Sequence, residues 1–408
     1  MELRYNGRKY ADEITANAGN IELGHAMVGE TLTIDTMSIP IITDNRPVRL
    51  IAADQTAEDF LLDKNGDMLC ASIGNVLPSF VPNAIGDFYY DNNLVCRQYL
   101  QELNQVGFNE HKLTFYSAIN KLEQSDHAGG MYAGHPVGMI IADIMGDVPY
   151  TIDEEISDIP IYGYLPYQKR RINLQWLLMA VGAHVRNSSD GTLIITTLSD
   201  NVSSRINTNR VFIGGSVVDN SPADCVEVTE HNYIPTTEEV IVYEGTTFDT
   251  ETIIFSEPVH DATITNGTII ELSVNHCVFT GNGFVTIKGQ RYVHVQRVVK
   301  HGSGTTVKRV RDNTLISPFN APDVAERLYG FLSVPQRIKQ EIVFGAERPG
   351  DVVEVINPYT REMIEACISR MSISIGLSEL RAACEFLVGY RPPDVVSRFE
   401  HSIILTGT

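Results

Sequence analysis

Apolar residues recur at helical spacing in only three places along this chain. After Pro136, which suits a first helical turn, Val137, Ile140, Ile141, Ile144 and Met145 fall at i, i+3, i+4, i+7 and i+8. They form one apolar stripe, and Gly146 supplies a stop. A second helix is predicted from about Gln168 to Ala183, carrying Ile172, Leu174, Leu177, Leu178 and Val181 around Trp176, the only tryptophan. It is apolar on most sides, so it is expected to be buried with Trp176 as its core anchor. A third helix, Asn320–Leu332, has Asn320 as cap, Pro322 early, and Val324, Ala325, Leu328 and Leu332 on one face. Between the first two lies a short strand, Ile159–Tyr164. A hairpin follows the second, turning at Asn187–Gly191.

Elsewhere the pattern is that of half-buried strands. Before residue 127 these are Glu2–Tyr5, Thr31–Thr36, Val48–Ala52, Asp87–Tyr90, Leu94–Leu103 and His111–Ala118, with Ile73–Ile85 read as a loop. Cys225–Thr229 is a further strand. From Glu238 to Val299 six short strands are separated by Gly, Pro and Asn, at the spacing of a small sandwich or barrel. Strands return after Gln336 and end with one inside Val395–Thr406. Gly86-Asp87 and Gly350-Asp351 each precede a short strand, a tight turn and two long strands. The four residues are read as structural turns, and the echo suggests two copies of one small β-barrel. The alternative is that Gly-Asp is a common loop ending.

Charge narrows the function. The net charge is −20, which disfavours a general nucleic-acid binder and favours repulsion of polyanions. No apolar run approaches the ~20 residues that span a bilayer, so no membrane insertion is expected. The N-terminus has no apolar core of a secretory leader, and the six cysteines show no C-x-x-C, which fits synthesis in a cytoplasm. Against this acidic background Lys288, Arg291, Arg297, Lys300, Lys308, Arg309 and Arg311 fall in a stretch without aspartate or glutamate from 288 to 311. That segregation marks candidates for an assembly face meeting an acidic neighbour, or a solvated edge whose cations protect a strand. Lys169-Arg170-Arg171 would oppose a helix dipole, so they are expected just outside the helix, paired with an acidic partner or the 153–158 acidic run.

Catalytic chemistry finds little support. His127 and His135 are eight apart, with no carboxylate or thiol at a ligand offset, so no metal site is expected. Gly129-Gly130 lacks any phosphate-loop pattern. There is no Gly-x-Ser-x-Gly elbow. Asp153-Glu154-Glu155 could pair carboxylates for glycan hydrolysis, but three consecutive acids suit a solvated turn better. No cofactor is expected.

His127–Tyr132, Gly138–Asp153 and Tyr162–Gln175, together with Arg348-Pro-Gly-Asp-Val-Val353, Asn357-Pro-Tyr359 and Leu387–Pro393, resemble tail hub proteins of phages and prophages of Gram-positive bacteria. The resemblance implies a mainly β fold with α+β modules. Two tube-type barrels would be joined by a helix-containing connector and carry a β-rich insert. The division expected is 1–126 for the first barrel, 127–200 for the connector, 201–237 for the start of the second barrel, 238–318 for the insert and 319–408 for the remainder. It further implies a non-enzymatic homotrimer at the distal tail of the virion. Its six barrels would surround the exit channel, with the genome passing unbound. Partners would be the tail tube or distal tail protein on one side and spike, fibre or other baseplate proteins on the other. Because the chain stops at Thr408, a cell-wall-cleaving domain is not expected. The alternative is a receptor- or glycan-binding tail-tip protein.

Overall fold

The computed structural model describes residues 1–5, 8–15, 19–24, 31–42, 83–107, 110–199, 201–219, 221–376 and 379–390. The predicted strands Val48–Ala52 and Val395–Thr406, nearly all of the loop 73–85, Cys70 and residues 391–393 lie outside them.

The fold is mainly β. Its largest element is a thirteen-stranded sheet that draws on both ends of the chain. Its path runs through Ser216–Asp219, Gln336–Val343, Leu380–Val388 and Met363–Ile375, then crosses to Gly19–Leu23. From there it continues through Thr36–Ile42, Glu110–Tyr116, Asn93–Gln105, Ile85–Tyr90, Glu2–Tyr5 and Arg8–Tyr10. Val352–Ile356 and Val202–Ile206 attach beside Met363–Ile375. The crossing is antiparallel, with Met371 opposite Leu23 and Ile373 opposite Ile21. One hydrophobic core spans it: Ile21, Met37, Ile39, Phe88, Leu113 and Phe115 pack with Ile338, Val353, Ile368, Ile373 and Phe386. Among the described residues the strands follow an open path without closure into a barrel.

One predicted strand is displaced. Thr31–Thr36 was expected, yet the ladder runs over Thr36–Ile42 and includes Pro40. Pro40 is tolerated because the neighbouring strand pairs only Thr36, Met37 and Ser38, so no donor is needed at Pro40. Its carbonyl accepts from the Thr15 amide.

Helix α1 (Ile119–Gln124) leads into the connector, which holds α2 (Val137–Met145), α3 (Glu154–Ser157) and α4 (Arg170–Val181). The stripe on α2 is buried as its spacing predicts. Within α4, Leu174, Leu177 and Leu178 are buried, whereas Trp176 is half-buried at the margin of the core rather than its anchor. Trp176 gives its carbonyl to Asn313 at 2.9 Å. The N-terminal turn of α4 holds the buried Asn173.

Of the basic triplet only Lys169, the N-cap of α4, sits outside the helix as expected. Arg170 and Arg171 lie inside the first turn of α4. Arg170 donates to the Asp143 and Ile144 carbonyls at 2.5 and 2.7 Å, near the end of α2, where the dipole favours a cation. Arg171 pairs with Glu123 at 2.6 Å and Lys169 with Asp126 at 2.8 Å, so none turns to the 153–158 run. Helix α5 (Ala321–Leu332) sends the buried Arg327 to the Met179 and Ala180 carbonyls, at 3.1 and 2.9 Å, closing the end of α4.

The region after residue 225 is neither a sandwich nor a barrel of short strands. It is one five-stranded sheet, here called the arm, built on a hairpin of two long strands, Cys225–Thr247 and His276–Gly302. Thr250–Ile254, Val259–Leu272 and Val307–Val310 complete it. The ladder shifts register at Pro235/Glu239 and Ile241/Tyr243, and it runs through Gly245 and Gly289, which pair with Val285 and Val240. A small core of Phe255, Val259, Cys277, Phe279, Val285 and Ile287 holds it together. Among the described residues no helix is long and apolar enough to cross a membrane.

Candidate functional site: the joint of sheet, connector and arm

The two Gly-Asp pairs have different structural roles but a common neighbour. Gly86 and Asp87 do not form a turn; they lie within the strand Ile85–Tyr90. Glycine is required there because a Cβ would stand 2.3 Å from the Phe115 ring. Gly350 does turn the chain, with φ +95, and donates to the Ile368 carbonyl at 2.7 Å. Asp87 holds Arg97 in a fork at 2.6 and 2.9 Å, and the Arg97 stem packs where Gly191 has no side chain. Asp351 accepts from the Arg348 amide at 2.9 Å and from Arg186 at 3.2 Å. Both aspartates therefore reach the connector hairpin 184–196, one from each half of the large sheet.

Sequence reasoning missed the centre of this joint. Asp35, 2% exposed, accepts from the Gly24 amide at 2.8 Å and from the Asn187 side chain at 2.5 Å. Burial pushes its carboxyl up to about 7, against the pull of those two donors and of Arg348. Burial in turn pushes the Arg348 guanidinium down. Nearby, Glu347 grips Arg210 at 2.6 and 2.8 Å. Burial raises the Glu347 carboxyl, but the bonds from Arg210 and Ser204 outweigh it and leave it below its ordinary range. A polar groove of about 840 Å³ opens beside these groups, lined by Arg186, Asn187, Ser188, Arg348 and Asp351.

His127 of the connector is held in a buried hydrogen-bond network. His127 is 1% exposed, directs Nε2 to Asp143 at 3.0 Å and accepts from Asn173 at Nδ1 at 2.8 Å. Burial lowers its pKa despite Asp143. Among the described residues no three His, Cys, Asp or Glu side chains gather as metal ligands. Gly129, at φ +69, is needed because a Cβ would meet the Leu165 carbonyl at 2.1 Å. Asp153 receives the Thr196 hydroxyl, while Glu154 and Glu155 begin α3 as exposed residues. The five described cysteines are buried free thiols; burial pushes Cys96, Cys367 and Cys384 up to about 12, so they are poor nucleophiles.

The basic residues of the arm face acids on the opposing strand. Arg297 pairs with Glu230 at 2.8 Å, Lys300 and Arg309 with Glu227 at 2.6 and 2.7 Å, Arg291 with Glu238 at 2.8 Å, and Lys288 with Glu239 at 4.0 Å. The charge segregated in sequence is thus matched across the ladder. Lys308 and Arg311 make no ion pair among the described residues.

The arm meets the connector through the packing of Val226 and Val228 on Met179 and through polar and aromatic contacts. Asn275, 1% exposed, donates to the Ala128 and Leu165 carbonyls at 2.7 and 2.8 Å, filling the space that Gly129 leaves. Tyr164 of the connector packs tilted against Tyr233 at 5.1 Å, and Tyr233 stacks at 4.3 Å on His294.

This geometry is that of a scaffold: ion pairs, buried polar links and packed aromatic rings joining three units. No family model matches the chain, and neither does any curated protein. Solved structures do match. A tail protein from Neisseria meningitidis MC58 superposes with a TM-score of 0.57 at 10% identity, over 97% of this chain and 98% of that one. The 43 kDa tail protein of prophage MuSo2 from Shewanella oneidensis gives 0.53 at 9% identity, over 96% and 99%. The chain has the fold of phage tail proteins. This phage-tail fold extends over nearly the whole length of both relatives, arm and connector included. Both come from Gram-negative bacteria, so the fold is not peculiar to phages of Gram-positive hosts.

Proposed function

We propose that this chain is the structural hub of a phage tail or phage-derived particle. The observation that carries the reading is the fold shared end to end with tail proteins, in which strands from both ends of the chain form one sheet over one core. Three copies form a ring around the exit channel. Each contributes two barrel-like units, 1–126 and 201–237 with 319–408, joined by the connector 127–200. The Asp35–Asn187, Asp87–Arg97 and Arg186–Asp351 contacts would fix the spacing between the units. The arm, 238–318 with its roots at Cys225 and Val310, projects toward neighbouring baseplate proteins. Lys308 and Arg311 are its free cations for an acidic neighbour. The hub joins the tail tube or distal tail protein to a spike, fibre or tip protein at the distal end of the virion. It performs no catalysis, and its net charge of −20 keeps the passing genome from sticking.

A second reading, a receptor- or glycan-binding tail-tip protein, is favoured by the exposure of Phe248 (73%) and Phe284 (57%) on the arm. Mass in solution combined with binding to cell-wall glycan separates the two. A trimer that ignores glycan supports the hub, and a monomer that binds glycan replaces it with the second reading.

A further inference from the structure

Outside the joint with the sheet, the polar groups with the most constrained chemistry lie where the arm crosses the connector. His231 is 3% exposed. Its backbone amide donates to the Ile316 carbonyl at 2.7 Å, and its Nε2 lies 2.8 Å from the Arg311 carbonyl. A carbonyl only accepts, so Nε2 carries the proton and Nδ1 is a bare acceptor. His294 places its Nε2 2.9 Å from that Nδ1, so it must donate there. The two rings lie nearly parallel, edge to edge, with centroids 5.1 Å apart; Tyr233 stacks on His294, and Tyr164 packs tilted against Tyr233. The connector side is held by the Thr314 hydroxyl on the Tyr164 carbonyl at 2.5 Å.

We propose that the column Tyr164–Tyr233–His294–His231 is a proton-operated catch that holds the arm against the connector and opens on mild acidification. The hydrogen bonds dictate the order of events. A first proton adds to His294 at Nδ1 and leaves the Nε2–H to His231 bond intact. A second must occupy Nδ1 of His231, where it faces an N–H of His294. Two donors and two positive charges then stand at 2.9 Å, and the contact breaks. The charged surroundings are Glu257, near His294 and Tyr233, and Asp312, near His231. Both favour protonation, yet burial is the larger influence and holds both histidines below their ordinary range. The other contact does not titrate: Asn275 donates to the Ala128 and Leu165 carbonyls. With the packing of Val226 and Val228 on Met179 it keeps the arm attached when the catch opens. This inference does not depend on the hub reading, because it concerns one chain in solution.

Amide exchange of the full chain at about pH 7.5 and about pH 5.5 tests it, with rates corrected for intrinsic chemistry. The ribbon 228–235 and 291–298 should exchange about tenfold faster at the lower pH, with the connector helices unchanged. His294→Gln keeps a donor for His231 without titrating, so it should remove most of that increase. No increase in the ribbon, or an equal increase throughout the chain, overturns the catch. A ring titration by NMR gives a second reading independent of any variant: both histidines must titrate below 6.5, and a value at or above it for His231 overturns the proposal.

Discussion

Asp35 and Asn187 stand 152 positions apart in the chain and meet at 2.5 Å, with the Asp35 end of the bond buried. The bond ties the entry of a sheet strand to the turn of the connector hairpin. Its acid titrates at about 7, well above the ordinary 3.8. For a carboxyl raised on folding, the native state holds the proton more tightly than the unfolded chain. The stability it contributes is greatest below 3.8 and is lost as pH rises toward 7, with no further change above. Asp35→Asn abolishes that loss. The Asn187 Oδ1 has no partner, so a flipped amide can accept from the new side chain. The variant should gain about 1–3 kcal/mol at pH 8 and nothing at pH 4, read by urea midpoints.

Glu347 has the opposite sign. Its carboxyl lies below the ordinary 4.5, so its contribution is present above 4.5 and disappears as pH falls below it. Glu347→Gln should cost about 2 kcal/mol at pH 7 by leaving Arg210 without its acid. Thermal melts across pH should bring variant and parent together as the medium becomes more acidic than 4.5.

Gly86→Ala places a methyl against the Phe115 ring in a core that spans both halves of the sheet. A cost of about 1–3 kcal/mol is expected. Adding Phe115→Leu should recover part of it, so the double variant should be more stable than additivity allows. Simple additivity in denaturant unfolding would contradict the close approach.

Asn275→Ala removes two buried hydrogen bonds between arm and connector. Limited proteolysis should cut the arm several-fold faster, while the near-ultraviolet signal of Trp176, on the connector, stays unchanged. Equal rates would mean that Asn275 does not secure the arm.

What could be read from the sequence was what local spacing dictates. The stripe Val137–Met145, the helix ending at Val181 and the helix Ala321–Leu332 follow from i, i+3, i+4 periodicity. The hairpin His184–Asn187 with Leu193–Thr196 follows from its Asn-Ser-Ser-Asp-Gly turn. The short strands expected in the arm follow from glycines that look like turns, whereas Gly245 and Gly289 pair within its long ladder. Gly86 read as a turn because nothing local announces Phe115. The crossing from Gly19–Leu23 to Met363–Ile375 and the Asp35–Asn187 bond depend on partners far along the chain, and no local pattern encodes those. The ion pairs of the arm were hidden for the same reason: the acids sit on one strand and the bases on another. Distance in sequence, rather than weakness of signal, separated the legible parts from the rest.

The central claim is that this scaffold is the hub of a tail. Cryo-electron imaging of the intact particle, with the chain located by a bound antibody fragment, tests it most directly. The account predicts three copies in one ring at the distal end of the tail, with the arms outward. A different copy number, or placement along the tube or at the head, would contradict it.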